Sequence, residues 1–201
     1  MNRAWRVRLA AALAEPPQDE HEDDSDWPIG IDGFRPAAVL IAVTDRPEPG
    51  VILTERASWL RRHAGQIAFP GGSIDPGDAD PVAAALREAE EELGIPPSAV
   101  EVIGSHRVFH SASGFAVTPV VGVVPPDLPI RPDPQEVADW FEVPLATLFD
   151  SGLLVARTGQ WKGAERRYYE LDWPDGGARR IWGVTAGIAA NLARAMERAG
   201  A

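Results

Sequence analysis

The sequence predicts an α/β sandwich around a mixed sheet, and three observations predict it. Residues 37–43 and Phe115–Val124 are apolar runs of strand length bounded by turn residues, the signature of buried strands. Pro81–Leu93 carries apolar residues at helical spacing and is followed by Gly94, a helix stop. Strand and helix signals then intermix without regular βαβ alternation, which argues for a mixed rather than an all-parallel sheet.

The elements follow in chain order. Trp5, Leu9 and Leu13 recur every fourth residue, so a short amphipathic helix docking on the body is expected at the N-terminus. Arg6 and Arg8 interrupt this stretch, and the apolar part at 9–14 is shorter than the ~7–15-residue core of a secretion signal. Residues 15–26 hold seven acids, two prolines and no Arg or Lys, which reads as a solvated linker. This divides the chain into 1–34, helix plus linker, and 35–201, the globular domain. Within the domain, 51–54 returns antiparallel after the Pro- and Gly-containing turn at 45–50. Pro70-Gly71-Gly72 breaks the chain ahead of the helix. Residues 100–109 and 115–124 read as a strand pair around Ser-Ala-Ser-Gly. Residues 125–134, with five prolines, form a loop; 137–143 is a strand, 145–149 a short helix and 166–173 another strand. Thr185 is placed to cap a last helix whose Ile188, Leu192 and Met196 share a face.

Composition narrows the function. The chain has 201 residues and a net charge of −11, from 30 acids and 19 bases. That excludes a basic coat for nucleic-acid polymers and adhesion to anionic membranes. No apolar run approaches the ~18 residues of a membrane span. With no cysteine there is no disulfide, thiolate metal site or Cys nucleophile, and a reducing cytoplasm is compatible.

The segment from Arg87 to Ile95 reads Arg-Glu-Ala-Glu-Glu-Glu-Leu-Gly-Ile. At about 100° per residue, Val82, Ala85, Leu86, Ala89 and Leu93 form an inward stripe. Glu88 and Glu92 are an i,i+4 pair on one side. Like charges at that spacing weaken a helix, and the helix dipole disfavours anions toward its C-terminus. Arg87 offsets part of this by pairing with Glu91. A hard divalent cation such as Mg²⁺ would relieve the repulsion, since it takes carboxylate oxygens and bridges them to phosphates. A solvated acidic face is the competing reading of the helix alone.

The order Gly72, five residues, Asp78, then Arg-Glu-Ala-x-Glu-Glu-x-Gly-Ile from Arg87 resembles the Nudix box. Two features depart from that pattern. The first acid is Asp rather than Glu, and one extra residue separates it from Arg87, so Asp80 is an alternative occupant. Upstream, Ile52-Leu53-Thr54-Glu55-Arg56-Ala57, Arg61, Gly65 and Phe69-Pro70-Gly71-Gly72 resemble the additional signature of the coenzyme A pyrophosphatase branch. Trp182–Gly187 is also similar to the family.

The resemblance implies a Nudix-type α/β/α sandwich and metal-dependent hydrolysis of the phosphoanhydride of coenzyme A or acyl-CoA. The products would be 3′,5′-ADP and (acyl-)4′-phosphopantetheine. It implies Mg²⁺ or Mn²⁺ on Glu88, Glu92 and Glu91, with the Gly72 carbonyl as a further ligand. Glu91 and Glu136 are the candidates for accepting the proton of the attacking water. Arg56 and Arg61 suit phosphate oxygens through their planar forks, and Gly65, Gln66 and Phe69 would shape the approach to the metal loop. The partner is thus a small molecule, and a homodimer is compatible with the sequence. Rival readings are a Nudix pyrophosphatase of ADP-ribose, NADH or a damaged nucleotide, and a non-catalytic nucleotide sensor. Phe115, Trp140 and Trp182 could stack on adenine. His106 and His110 read as structural.

Overall fold

The computed structural model describes residues 4–14, 33–59, 65–161 and 163–200. The acidic run at 15–26 and Arg61 lie outside the described residues. Eight strands make one mixed sheet: β1 (Arg35–Thr44), β2 (Gly50–Arg56), β3 (Ile67–Ala68), β4 (Gly71–Ser73), β5 (Glu101–Ser105), β6 (Phe109–His110), β7 (Phe115–Val124) and β8 (Val137–Pro144). Its main path runs β3-β2-β1-β7-β5, with β8 on β2, β4 on β1 and β6 on β7. The central pair β1 and β7 is parallel, from Arg35↔Phe115 to Thr44↔Val124, and the other pairs are antiparallel.

Helices cover both faces, which is why β1 and β7 read as continuous apolar runs rather than alternating ones. Ala38, Leu40, Ala42, Val120 and Val124 pack with Ala85, Ala89 and Leu93 of α2 (Pro81–Leu93). Ile41, Val43, Val117 and Val121 pack on the other side with Ile188, Leu192 and Met196 of α4 (Val184–Ala199). The sandwich expected from the sequence is the observed architecture. α1 (Ala4–Ala14) packs against α4 and β5; Leu9 is fully buried, and Trp5 and Leu13 are partly buried against the same core. Arg6 anchors it through a 2.8 Å ion pair to Glu101.

Two local expectations are corrected. The strand expected over 100–109 is divided into β5 and β6. A bulge lies between Val102 and Gly104, and Pro119 of β7 has no N–H to continue the ladder; only the His106 amide reaches its carbonyl, at 2.8 Å. Thr185 does not cap α4: Gly183 occupies that position, and the Thr185 hydroxyl donates to the Ile67 carbonyl at 3.0 Å. The strand expected over 166–173 is present as β10 (Ala164–Leu171), which pairs with β9 (Leu154–Trp161) in a separate two-stranded sheet lying on α4. β8 leads into α3 (Leu145–Leu148), close to the expected short helix.

Candidate active site

α2 begins and ends where local chemistry directs. Asp80 caps it by accepting the Ala83 N–H at 2.8 Å, Pro81 follows, and Gly94 ends it in the left-handed region at φ 66°. Asp78 has a different task. It accepts two bonds from Arg87, at 2.9 Å from Nε and 3.0 Å from Nη2, and one from the Asp75 amide at 2.8 Å. The two candidate acids therefore divide the work, Asp80 starting the helix and Asp78 holding the arginine. The Arg87 guanidinium keeps the Asp78 carboxyl below the usual carboxylate range. Arg87 also donates to the Ser73 carbonyl (3.2 Å), Glu88 (3.0 Å) and Glu91 (2.9 Å), tying α2 to the glycine strand β4.

β4 is pressed against the acidic face of α2. A Cβ built on Gly72 would lie 2.5 Å from Oε1 of Glu88, so any larger residue here would displace the Glu88 carboxylate from its present position. The Gly71 N–H donates to the Glu92 carboxylate at 3.2 Å. Glu92 is only 5% exposed, unlike the solvated face that a helical wheel suggests. Burial pushes its carboxyl up to about 8 against the pull of the Gly71 amide; Glu88 and Glu136 add to the rise, and Arg56 opposes it. Burial also raises Glu88, against Arg87, with Glu91 and Glu136 adding to the rise. Glu91 itself is exposed, and its carboxylate faces Arg87.

The proline-rich loop delivers Glu136 to this group. Arg131 N–H donates to the Leu93 carbonyl at 2.8 Å and Asp133 N–H to the Glu92 carbonyl at 2.9 Å, closing the C-terminal turn of α2. Asp133 then accepts from Gln135 and Glu136, and the Glu136 carbonyl accepts from Ala57 at 2.8 Å. Arg56 precedes that anchor at the irregular end of the β2–β8 pairing, and its N–H donates to the Gln66 carbonyl at 2.9 Å. The fold thus brings Glu88, Glu92, Glu136, Arg56 and Gly72 together from four separate segments. Gly65 turns the chain at φ 69°, and Gln66 and buried Phe69 line a cavity on the α4 face of the sheet. Phe115 and Trp182 also line that cavity, whereas Trp140 packs on the α2 side of the sheet.

Among the described residues, no three carboxylates or imidazoles form a ready ligand group for a metal ion. The donor chemistry nevertheless fits a hard divalent cation. The groups are oxygens only; among the described residues the Glu92 carboxyl takes its hydrogen bond from a neutral backbone amide, and burial, with acidic neighbours adding, raises both glutamates. Two contributors are not evident from residue spacing. One is the Gly71 amide; its signal is the glycine pair itself. The other is the β9–β10 hairpin, which supplies Gln160, Arg166 and Tyr168 to the cavity and carries no catalytic pattern.

An α/β sandwich with an acidic helix clamped to a glycine strand offers oxygen donors suited to a hard cation beside a phosphate-bearing ligand. The chain belongs to the Nudix family: the NUDIX domain profile matches residues 33–165. It is 51% identical over 159 residues to an uncharacterized Nudix hydrolase, NudL, of Escherichia coli K12, covering 79% of this chain and 81% of that one. The NudL of Shigella boydii serotype 18 matches at the same identity and coverage. Among solved structures, the Nudix hydrolase RenU of M. smegmatis is similar at 26% identity and a TM-score of 0.49, over 58% of this chain and 74% of that one.

Proposed function

We propose that this Nudix hydrolase cleaves the phosphoanhydride of coenzyme A or acyl-CoA, releasing 3′,5′-ADP and (acyl-)4′-phosphopantetheine. The observation that carries this reading is Arg56. The signature running from Ile52 to Gly72 places this cation at the end of β2, where its charge acts on Glu92. A phosphate-rich substrate would be held there without an overall basic surface.

Glu88 and Glu92, with Glu91 and the Gly72 carbonyl, would hold Mg²⁺ or Mn²⁺. When bound, such an ion neutralises diphosphate charge and lowers the pKa of a coordinated water. The chain's own residues do the rest. Arg87 fixes the position of Glu88 and Glu91 relative to β4. The Gly71 amide orients Glu92. Arg56, and Arg61 further along the signature, hold phosphate oxygens. Glu136 accepts the proton of the attacking water as the new O–P bond forms and the bridging P–O bond breaks. It is exposed and electrostatically coupled to Glu88 and Glu92. Glu91 fills this role less well, because Arg87 already occupies its carboxylate.

The test is a substrate panel with Mg²⁺ and Mn²⁺: coenzyme A, acyl-CoAs, ADP-ribose, NADH and an oxidised nucleotide. The expected result is preference for the coenzyme A compounds, lost in Arg61→Ala with less effect on ADP-ribose. Faster turnover of ADP-ribose, NADH or the oxidised nucleotide would overturn the substrate assignment. Binding without turnover of any compound would make the chain a sensor.

A further inference from the structure

We propose that the cavity on the α4 face of the sheet receives the uncharged pantetheine arm and thioester-linked acyl chain of the substrate, and that the turn at 111–113 with the β9–β10 hairpin sets the chain length accepted. This rests on the coenzyme A reading above.

The cavity holds about 350 Å³, within the range of small-molecule sites. Its relation to the carboxylates follows from register. Val39 lines it and is the β1 partner of Gly71, whose amide reaches Glu92. The β1–β4 pair therefore separates the cavity from the proposed point of cleavage, and a substrate that passes around the edge strand β4 has one half on each face.

Charge decides which half lies where. The walls are mainly carbon, including the rings of Phe69, Phe115, Tyr168 and Trp182, and among the described residues Arg166 is the one charged side chain in the lining. Burying phosphates against such walls is costly. Arg56 stands instead at the carboxylate end, and Arg61 and Arg62 follow it in sequence. The adenosine half of coenzyme A carries the 3′-phosphate, so it is directed to the arginine-bearing end. The other half has two amides and a thiol or thioester, and no charge beyond the diphosphate. Its needs are apolar area and a few neutral hydrogen-bonding groups, which Gln66, Gln160, Ser111 and Ser113 offer.

The walls nearest the turn are the adjustable part. Ala112 is small and half-buried in the lining. Thr185 holds the opposite wall in place through its bond to the Ile67 carbonyl.

The test compares wild type with Ala112→Trp on coenzyme A, hexanoyl-CoA, dodecanoyl-CoA and 3′-dephospho-CoA. Apolar pockets discriminate by about tenfold or more per methylene-sized clash. The expected result is a KM that rises with chain length in the variant, by about tenfold or more for dodecanoyl-CoA relative to coenzyme A. The ratio of coenzyme A to dephospho-CoA should stay at its wild-type value. An equal loss on all four compounds, or no loss, would overturn the assignment. So would an Arg166→Gln variant that loses affinity for coenzyme A but not for dephospho-CoA, since that places the 3′-phosphate in the cavity. A binding measurement stands apart from turnover and from the folding of Ala112→Trp. Pantetheine should change the fluorescence of wild-type protein, adenosine should not, and Trp182→Phe should abolish the signal. Adenosine acting in place of pantetheine, or neither acting, would overturn the proposal. Wild type that binds pantetheine but cleaves no coenzyme A compound would sink the function above while leaving the cavity assignment standing.

Discussion

The Gly71 amide donates to the Glu92 carboxylate across 3.2 Å, joining the glycine strand to the buried end of the acidic helix. Glu92 is costly to keep charged in this position, since burial pushes its carboxyl up to about 8. Replacing it with Gln keeps the shape and removes the charge. The prediction for Glu92→Gln is a fall in kcat of roughly a hundred- to thousandfold, the scale of losing one group that stabilises charge in the transition state. The melting temperature in chelator should be no lower than that of wild type, because the amide keeps the side chain's shape and has no ionisable group to bury. Retained turnover in excess Mg²⁺ would show that the site is misassigned.

Gly72 makes a sharper test, because it carries no chemistry in its side chain. A methyl group there would meet Glu88 at 2.5 Å. Gly72→Ala must move the Glu88 carboxylate, the flexible end of its side chain, so the change falls on the carboxylate's position more than on stability. Activity should fall by about tenfold or more, in proportion to misplacement of a reacting group. Wild-type kinetics in a folded Gly72→Ala protein would mean that Glu88 works from another position.

Asp78 and Asp80 separate in the same way. Asp80→Ala removes a helix cap and should cost about 1 kcal/mol in a denaturant titration with kcat nearly unchanged. Asp78→Asn should leave the helix capped but loosen Arg87, and through it Glu88 and Glu91. Its effect should appear mainly in kcat and in the metal concentration needed for half-maximal rate. Opposite behaviour of the two variants would reverse their assignments.

These residues also show where sequence legibility ends. α2 is readable to its last residue, because Asp80, Pro81 and Gly94 act through neighbouring backbone, and neighbouring backbone is what spacing encodes. The Arg87–Glu91 pair is readable for the same reason. The burial of Glu92 is not, since it depends on β4 and on a loop some forty residues downstream whose Asp133 amide closes the helix end. Glu136 stands out only as an acid after many prolines, and its coupling to Glu88 and Glu92 is a product of tertiary folding. β9 is hidden more completely. Arg157, Thr158, Gly159 and Gln160 have no strand-like apolar alternation, and pairing with β10 alone makes them a strand. Thr185 looks like a cap by residue type, yet its hydroxyl is buried against β3, a contact separated by more than a hundred residues.

His106 supplies a pH dependence remote from the carboxylates. Burial lowers its imidazole to about 4, with the charges of Arg107 and Arg198 acting in the same direction. The unfolded chain takes up this proton near pH 6.5, whereas the folded protein resists it until about pH 4. Because the folded value is the lower one, stability is fully present above pH 6.5 and is lost as pH falls from 6.5 toward 4. The loss is on the order of 3 kcal/mol from this one group. His106→Gln cannot take up the proton, so its stability should approach or overtake that of wild type as pH falls through this window. Denaturant titrations of both proteins at pH 7.5 and pH 4.5 measure the difference directly. A difference between the two proteins that does not change with pH would show that His106 titrates alike in the folded and unfolded chain.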